Sequence, residues 1–213
     1  MIQVSFRLPK IYPLTDVGLT GLTHAEQVRR LAKGGALLIQ VRDKTSNARD
    51  FLESAKAAVI AARECGVKLI INDRADIAAA VRADGVHLGQ DDLPVAAARE
   101  LLGAKAIIGL STHSLLQAEA ATRLGIDYLA LGPVFSTGTK DNTAPEVGLE
   151  GLKAVRSKVG EFPLVAIGGI TRDLALDVLH AGANSVAVIS ALLRNPHEIA
   201  AQTAHLLQIV QQI

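Results

Sequence analysis

Several residue types are scarce in this 213-residue chain, and each scarcity narrows the range of functions. Aromatic residues make up 3% of the chain and tryptophan is absent, which disfavours a surface that stacks nucleic-acid bases. The single cysteine, Cys65, cannot form an internal disulfide. The 22 basic and 21 acidic side chains almost cancel, so the charge balance indicates neither nucleic acid nor a charged membrane surface as a partner.

Long apolar runs are missing as well. The chain has no uninterrupted apolar segment of roughly 20 residues, so we expect no membrane span. The opening residues, MIQVSFRLPK, lack the long apolar centre of a secretory signal. We therefore expect a cytoplasmic protein.

Eight short apolar segments recur along the chain, with helical patterns between them. Most of the eight are continuous rather than alternating, which is typical of strands buried on both faces of a parallel sheet. The predicted strands cover 11–14, 37–42, 68–72, 85–88, 106–111, 128–131, 164–167 and 185–189. Helix ends are also marked: Thr23 and Glu26 form a capping box, and Gly66 is predicted to stop a helix that begins near Asn47.

Eight strands that alternate with helices predict a small (β/α)8 barrel, the TIM barrel fold. An open, doubly wound sheet is the alternative. Polar residues follow nearly every predicted strand, which favours a ring of site residues over a single crevice. No linker or shift in composition divides the chain, so we predict one catalytic domain covering 1–213.

Cationic and amide side chains mark the end of the second predicted strand. Gln40, Arg42 and Lys44 alternate in sequence, so they can project from the same side of an extended chain. Two cations and an amide suit a pyrophosphate. The alternative is a glutamine inside the barrel beside two solvated charges.

Acidic side chains follow the third and fourth predicted strands. Asp73 and Asp92, with the amide of Asn72, would make a magnesium (Mg²⁺) site for a substrate that carries phosphates. Alternatively, each aspartate caps the helix that follows it. His87 lies within the fourth strand and is predicted to be a hydrogen-bonded core histidine rather than a catalyst.

Hydroxyls and a histidine follow the fifth predicted strand, and a long loop follows the sixth. Ser111 is a candidate substrate contact, and His113 is a candidate acid or base near neutral pH. The alternative for both is a loop that leads into the next helix. The loop 132–148 is long enough to predict a lid, and its segment GPVFSTGTK ends in Lys140, a cation able to neutralise a leaving group. A merely solvated loop is the alternative.

Glycines and a hydroxyl end the last two predicted strands. Gly168 and Gly169 follow the seventh strand, and Ile189 and Ser190 follow the eighth. Paired glycines let backbone N–H groups approach a ligand closely, and these two loops of a barrel often bind a phosphate. A simple turn is the alternative.

With these residues in place, the chain resembles the thiamine phosphate synthase family over nearly its whole length, from Ile11 to Ser190. Seven segments in order carry the resemblance: QVRDK at 40–44, INDRADIA at 71–78, ADGVHLGQDDLP at 83–94, GLSTHS at 109–114, GPVFSTGTK at 132–140, AIGGI at 166–170 and VISAL at 188–192.

The resemblance implies a magnesium-dependent transferase with two small-molecule substrates. Hydroxymethylpyrimidine diphosphate and hydroxyethylthiazole phosphate would give thiamine monophosphate and pyrophosphate. Magnesium would be bound by Asp73 and Asp92. The substrate-binding residues implied are Gln40, Arg42, Lys44 and Asn72 for the pyrimidine diphosphate, Ser111 for the pyrimidine or diphosphate region, Thr137, Thr139 and Lys140 in the closing loop, and Gly169, Ile189 and Ser190 for the thiazole phosphate. Arg42, Lys44 and Lys140 would be catalytic because they stabilise the departing pyrophosphate.

Two other functions stay open at this point. A thiazole tautomerase paralogue has a similar barrel and would use a histidine where His113 lies, although it would not need Lys44, Asp73, Asp92 and Lys140 together. A non-catalytic protein that binds a thiazole or thiamine phosphate is the third alternative. The resemblance also implies a homodimer.

Overall fold

Eight parallel strands form one closed sheet in the computed structural model, which describes residues 7–137 and 145–211. The strands are β1 (Ile11–Pro13), β2 (Leu38–Val41), β3 (Lys68–Asn72), β4 (Gly85–Leu88), β5 (Ile107–Thr112), β6 (Tyr128–Leu131), β7 (Leu164–Ile167) and β8 (Ser185–Val188). Their hydrogen-bonded order is β1-β8-β7-β6-β5-β4-β3-β2. All eight predicted strands are present, each within one residue of its predicted ends.

The two ends of that order meet just beyond β1. A bridge pairs Leu14 with Gln40, and the Thr15 N–H donates to the Gln40 carbonyl at 2.9 Å. This contact joins β1 to β2 and closes the barrel. The predicted TIM barrel is therefore confirmed, and the open doubly wound sheet is wrong.

Helices occupy the outside of the barrel. In the described residues these are α1 (Val17–Thr20), α2 (His24–Lys33), α3 (Ala48–Cys65), α4 (Ala75–Val81), α5 (Val95–Leu102), α6 (Leu115–Ala121), α7 (Gly148–Val159), α8 (Ala175–His180), α9 (Ser190–Leu193) and α10 (Ile199–Val210), with a 3-10 turn at Pro196–Glu198. None of these helices is both long enough and apolar enough to cross a membrane.

Local sequence signals set the ends of the longer helices. The capping box at Thr23 and Glu26 is confirmed, because both reciprocal hydrogen bonds are present. Asn47 caps α3 by accepting the Asp50 N–H, and α3 ends at Gly66, whose φ of 69° is left-handed. The helix α3 lies between β2 and β3, which pair in parallel, so the polar ends of these two strands lie beside each other on one face of the barrel.

Two apolar layers hold the fold together. Alternate strand residues fill the barrel interior: Tyr12, Leu14, Leu38, Ile70, Ile107, Tyr128, Ala130, Val165 and Ala187. The other strand residues pack outward against the helices. Both faces of each strand are therefore buried, which explains why the apolar segments are continuous in sequence. The interior layer ends below the carboxyl ends of the strands, where side chains become polar.

Candidate active site

A cavity of about 940 Å³, counted out to its open mouth, lies at the carboxyl ends of the strands. This is the face on which TIM barrels carry their active sites. Its wall contains ten of the residues assigned above to substrate or metal: Gln40, Arg42, Lys44, Asn72, Asp73, Ser111, Thr137, Gly169, Ile189 and Ser190. Asp92 lies beside the cavity, next to Asp73. Thr139 and Lys140 lie outside the described residues.

The ends of β2, β3 and β4 bring a cation and two acids together. Lys44 Nζ donates to Asp73 Oδ2. Asp92 Oδ2 accepts the Gly89 N–H at 2.6 Å. Burial raises the pKa of Asp92, and the negative charge of Asp73 raises it further, whereas the Gly89 N–H and Lys44 oppose the rise. The two carboxylates therefore repel each other across a short gap that favours positive charge.

Neither aspartate caps a helix. Arg74 and Pro94 are the capping residues of α4 and α5, and both helices lack a side-chain cap. Asp73 instead has a left-handed φ of 62°, and the Arg74 N–H bonds back to the Asn72 carbonyl at 2.7 Å around it. This conformation is uncommon for a non-glycine residue, although aspartate adopts it more readily than most, and such residues cluster at active sites. The helix-cap interpretation is therefore wrong for both residues.

A second group of side chains supports the loop that carries Arg42 and Lys44. Thr15 Oγ1 accepts the Arg42 N–H at 3.3 Å and lies 2.7 Å from His24 Nδ1. His24 Nε2 lies 3.5 Å from Asp43 Oδ2, a distance that allows charge attraction but not a good hydrogen bond. Burial lowers the pKa of His24, against the attraction of Asp43 and Asp16. Thr15, His24 and Asp43 thus fasten the backbone that presents the two cations.

Arg42 and Asp43 are held by further contacts in the same region. Arg42 Nη1 lies 3.7 Å from Asp16 Oδ2, so the guanidinium is only weakly paired. Burial would raise the pKa of Asp43, but hydrogen bonds from the Ser46 N–H, the Ser46 hydroxyl and the Thr45 N–H hold it well below its usual value. Asp43 is therefore an anion that shapes its own loop, while Arg42 keeps most of its donors for a ligand.

The loops after β6, β7 and β8 form the other side of the cavity. Gly168 and Gly169 have positive φ angles of 101° and 65°. A Cβ on Gly169 would lie 2.4 Å from the Ser136 carbonyl oxygen, so only glycine fits against the segment before Thr137. The Phe135 N–H donates to the Gly168 carbonyl at 3.0 Å and locks the two loops together. Ile189 precedes the short helix α9, which begins at Ser190.

The floor of the cavity is polar. His87 Nε2 lies 2.8 Å from Ser111 Oγ, and His87 Nδ1 lies 3.0 Å from the Tyr128 hydroxyl. The same hydroxyl is 2.9 Å from that of Tyr12, to which Gln40 Nε2 donates at 3.0 Å. The prediction of a hydrogen-bonded core histidine at His87 agrees with these bonds.

His113 lies on the cavity wall between β5 and β6. Its Nδ1 hydrogen-bonds to the Gly132 carbonyl, so this nitrogen carries the proton. Its backbone N–H donates to Gln117 Oε1 at 2.7 Å. The ring is therefore fixed in orientation, with Nε2 the remaining nitrogen.

Comparison with known proteins identifies the family to which this chain belongs. The family model described as "Thiamine monophosphate synthase" matches residues 11–192. This chain belongs to the thiamine monophosphate synthase family. The predicted family is therefore confirmed.

Relatives of the synthase family match along most of the chain. The thiamine-phosphate synthase of Chloroflexus aurantiacus is 47% identical over 185 residues, covering 86% of this chain and 85% of the relative. The thiamine-phosphate synthase of Syntrophomonas wolfei is 47% identical over 184 residues, covering 86% and 88%. The structure of thiamine phosphate pyrophosphorylase from Pyrococcus furiosus superposes with a TM-score of 0.85 at 39% identity, covering 95% of this chain and 96% of that one.

The residues beside Asp73 fit the magnesium that the synthase family implies. Asp73 and Asp92 offer carboxylate oxygens, and Asn72 adds an amide oxygen on the cavity wall. Within 7–137 and 145–211, no group of three or more histidine, cysteine or acidic side chains is placed to hold a metal. Mg²⁺ commonly takes one or two carboxylates and fills its remaining positions with water and substrate phosphates. The donor set suits such a site.

Sequence reasoning missed part of this synthase site. Thr15, His24 and Asp43 are separated in sequence and form no recognisable motif. They come together only because β1 closes against β2. The polar floor was missed for a similar reason, because Tyr12 and Tyr128 are 116 residues apart. An available signal was the polar pair Thr15-Asp16, which directly follows the first strand as site residues follow the others.

Proposed function

We propose that this chain makes thiamine monophosphate. In the proposed reaction the pyrimidine methylene is transferred from hydroxymethylpyrimidine diphosphate to the ring nitrogen of hydroxyethylthiazole phosphate. The observation that carries the proposal is a single cavity with Arg42, Lys44 and Asp73 on one side and Gly169 and Ser190 on the other. Such a cavity can hold one anion against side-chain charge and another against backbone.

The diphosphate is assigned to the β2–β4 side. Arg42 has a guanidinium that its weak partner Asp16 leaves available, and Lys44 already interacts with Asp73 at the acid pair. Magnesium at Asp73 and Asp92 would supply charge neutralisation of the departing pyrophosphate. With that charge at the two carboxylates, Lys44 would be available to the diphosphate rather than to Asp73. Gln40 and Asn72 hold the pyrimidine end of the same substrate.

The thiazole phosphate is assigned to the β7–β8 side. Gly169 permits close approach of backbone N–H groups, and Ile189 and Ser190 present the start of α9. Thr137 adds a hydroxyl from the loop after β6. We also assign Thr139 and Lys140 to this loop's closure over the site, with Lys140 on the diphosphate.

The proposed reaction needs no covalent bond between the protein and either substrate. The C–O bond to the diphosphate breaks and its electron pair leaves with pyrophosphate. The electron-rich aminopyrimidine stabilises the remaining methylene cation, and the thiazole nitrogen lone pair forms the new C–N bond. The chain's own groups orient the two substrates and stabilise the leaving charge. Closing the loop at 132–148 would keep water from capturing the cation.

Two hydroxyl–imidazole pairs in the structure could suggest a nucleophilic mechanism, but neither is built as a nucleophile with its base. Thr15 lies against His24 and Asp43, but Thr15 is fully buried away from the cavity wall. Ser111 does face the cavity beside His87, but the other ring nitrogen of His87 meets the phenol of Tyr128. A nucleophilic serine needs a carboxylate or similar group behind its histidine to stabilise the imidazolium.

The test is a turnover assay with both phosphorylated substrates and magnesium. We expect thiamine monophosphate and pyrophosphate in equal amounts, and no reaction when either substrate or the metal is withheld. Absence of product with fresh substrates would contradict the proposal.

The same assay with a carboxylated thiazole phosphate tests the tautomerase alternative, which predicts metal-independent turnover that His113→Asn abolishes. The observation that favours this alternative is the orientation of the His113 ring, which its hydrogen bond to the Gly132 carbonyl fixes.

Three further proposals concern the protein as a whole. We propose one catalytic domain over 1–213, working in the cytoplasm, where phosphorylated intermediates are retained by their charge.

We also propose a homodimer. Large apolar side chains are exposed on or beside the consecutive helices α5 and α6: Leu101, Leu115, Leu116 and Leu124, with Leu116 77% exposed. We assign these exposed leucines to the proposed interface. Light scattering of the wild type and Leu116→Glu tests this, because only the wild type should have dimeric mass.

A further inference from the structure

Three side chains join the backbone on either side of the Arg42–Asp43 peptide bond into a closed ring. The Arg42 N–H donates to Thr15 Oγ1 at 3.3 Å, and Thr15 Oγ1 lies 2.7 Å from His24 Nδ1. The other ring nitrogen, Nε2, faces Asp43 Oδ2 at 3.5 Å, and Asp43 directly follows Arg42 in the chain. We call Thr15, His24 and Asp43 the cation clamp, because Arg42 and Lys44 flank Asp43.

The charge of Asp43 sets the direction of hydrogen bonding in the cation clamp. A carboxylate can only accept, so the His24 Nε2 that faces it carries a proton. Burial lowers the pKa of His24, so the ring is neutral at neutral pH and its Nδ1 is an acceptor. The Thr15 hydroxyl therefore donates to Nδ1, while its oxygen accepts the Arg42 N–H. This one hydroxyl connects the imidazole ring to the backbone of the first cation.

The Asp43 carboxylate also closes a turn around Lys44. Its Oδ1 accepts the N–H groups of Thr45 and Ser46, both at 2.9 Å, and its Oδ2 accepts the Ser46 hydroxyl at 2.7 Å. Because Lys44 lies between Asp43 and these bonded residues, the carboxylate fixes the backbone from which the lysine extends. The carboxylate that faces His24 therefore also sets the position of the second cation.

The helix α2 and the barrel wall hold the buried half of the cation clamp. His24 is the first residue of α2, and Gln27 lies one turn further along it; both side chains are buried. Gln27 Oε1 accepts the Asp16 N–H at 2.9 Å, and the Thr15 N–H donates to the Gln40 carbonyl at 2.9 Å. Thr15 is thus held at its own N–H and at that of the next residue, which makes its hydroxyl a fixed anchor for the loop after β2.

The two buried members of the cation clamp lie behind the cavity wall. Thr15 is fully buried and His24 is 1% exposed, and neither lines the cavity, whereas Arg42 and Lys44 do. Thr15 and His24 therefore do not contact a ligand in the cavity, and any effect on binding must pass through the loop that they hold. Cations on a backbone that is already fixed lose less freedom when they bind an anion.

We propose that Thr15 and His24 are positioning residues for the diphosphate, acting through Arg42 and Lys44. This proposal rests on the proposed function. Two cations held at a fixed spacing can engage both phosphates of a diphosphate at once, and loss of an anchor lets the loop shift. A displacement of about 1 Å in a group that positions a substrate can cost about 100-fold in rate. The thiazole phosphate is assigned to the opposite side of the cavity, so its binding should not depend on the clamp.

The experiment removes the hydroxyl at the centre of the cation clamp. Thr15→Val keeps the shape of the side chain but takes the hydrogen-bond partner from the Arg42 N–H and from His24 Nδ1. Thr15→Ser keeps the hydroxyl. Binding of inorganic pyrophosphate in the presence of magnesium is measured by calorimetry. Thr15→Val should weaken it by about tenfold to 100-fold, the range expected when a buried donor loses its partner, whereas Thr15→Ser should stay within about threefold of the wild type. KM for the thiazole phosphate should stay within about twofold in both variants.

Two controls separate this role from a general loss of stability. Thr203→Val makes the same chemical change at another fully buried threonine, on α10, whose hydroxyl donates to the Ile199 carbonyl at 2.7 Å. It should keep the wild-type affinity for pyrophosphate. A double-mutant cycle of Thr15→Val with Arg42→Gln should be strongly non-additive for pyrophosphate, because the hydroxyl acts on the loop that carries the arginine.

Four results would overturn the proposal: wild-type pyrophosphate affinity in Thr15→Val, an equal loss in Thr15→Ser, an equal loss in Thr203→Val, or additive effects in the cycle. If Thr15→Val does not fold, His24→Leu breaks the cation clamp at its next member and is measured in the same way. Wild-type protein that forms no thiamine monophosphate would remove the proposed function alone. The pyrophosphate measurements need no turnover, so they would still decide whether the clamp positions the two cations.

Discussion

Lys44 Nζ donates a hydrogen bond to Asp73 Oδ2, and this contact joins the end of β2 to the end of β3 at the mouth of the barrel. Both partners are partly exposed, so the pair itself adds little stability. The contact matters because of where it places the Lys44 ammonium group. The ammonium group lies where the diphosphate and its metal are proposed to bind, and Asp92 adds a second carboxylate beside it.

Lys44→Gln should lower kcat by about 100-fold, the effect expected when one group that stabilises developing charge is removed. Because the ion pair is partly exposed, the midpoint of thermal unfolding should hardly change. The matched control is Arg29→Gln, which breaks a similarly exposed ion pair with Glu64 far from the cavity. Wild-type kcat in Lys44→Gln would remove this residue from the mechanism.

Asp92→Asn should raise the magnesium concentration needed for half-maximal activity by about tenfold or more, since one of two carboxylate ligands loses its charge. Asp91→Asn is the control, because Asp91 is the exposed neighbour at the same strand end. Titrating magnesium at saturating substrate measures both. Equal metal dependence in the two variants would exclude Asp92 as a ligand.

Lys140→Ala should lower turnover of the wild-type reaction by about 100-fold and leave the barrel folded, because the lysine is proposed to act on the leaving pyrophosphate. Turnover and the circular dichroism spectrum are the two measurements. Lys153→Ala serves as the control, since it removes an exposed lysine from α7 that pairs only with Glu150 in the described structure. Turnover equal to that of the control would argue against a role for Lys140.

His24 should make the fold sensitive to mild acid. Burial lowers the pKa of His24 below its usual value of 6.5, so the unfolded chain takes up a proton first as the pH falls. The free energy of unfolding should therefore decrease below about pH 6.5, by at most about 1.4 kcal/mol per pH unit. Asp43, whose pKa is lowered, adds its own loss only below about pH 4.

The measurement is urea unfolding between pH 7.5 and 5, taken as roughly the window in which histidine titrates. His24→Gln should flatten the pH dependence, whereas the exposed His180→Gln should retain it. A slope that survives in His24→Gln would mean that another group carries it.

Gly169→Ala should raise KM for the thiazole phosphate by at least about tenfold, equivalent to about 1.4 kcal/mol. The substitution adds strain at a φ of 65° and drives a methyl group against the Ser136 carbonyl. Gly66→Ala is the matched control, because Gly66 has a φ of 69° but nothing within 4 Å of the added Cβ. If both variants show wild-type KM, the loop after β7 does not hold the phosphate.

The sequence predicts the barrel well for a physical reason. Strands buried on both faces leave continuous apolar segments, and helix caps such as Asn47 and Gly66 are local. The polar ends of the strands are predictable too, because residues such as Arg42 and Asp73 directly follow those segments. Parallel strands necessarily bring such ends to one face.

Other features depend on contacts that no local pattern records. His24 directly follows the capping Thr23 and has the sequence context of an ordinary helix residue, yet it is buried against Thr15 and Asp43. Tyr12 and Tyr128 read as apolar strand residues, and only the closed barrel shows that their hydroxyls meet. These are long-range pairings, set by barrel closure and register.

The most direct test of the central claim is a crystal structure of the protein with thiamine monophosphate, magnesium and pyrophosphate. We predict the metal between Asp73 and Asp92, the pyrophosphate against Arg42 and Lys44, and the product phosphate at Gly169 and Ser190, all in the one cavity. Ligands bound at separate places, or a metal away from the two aspartates, would contradict the account.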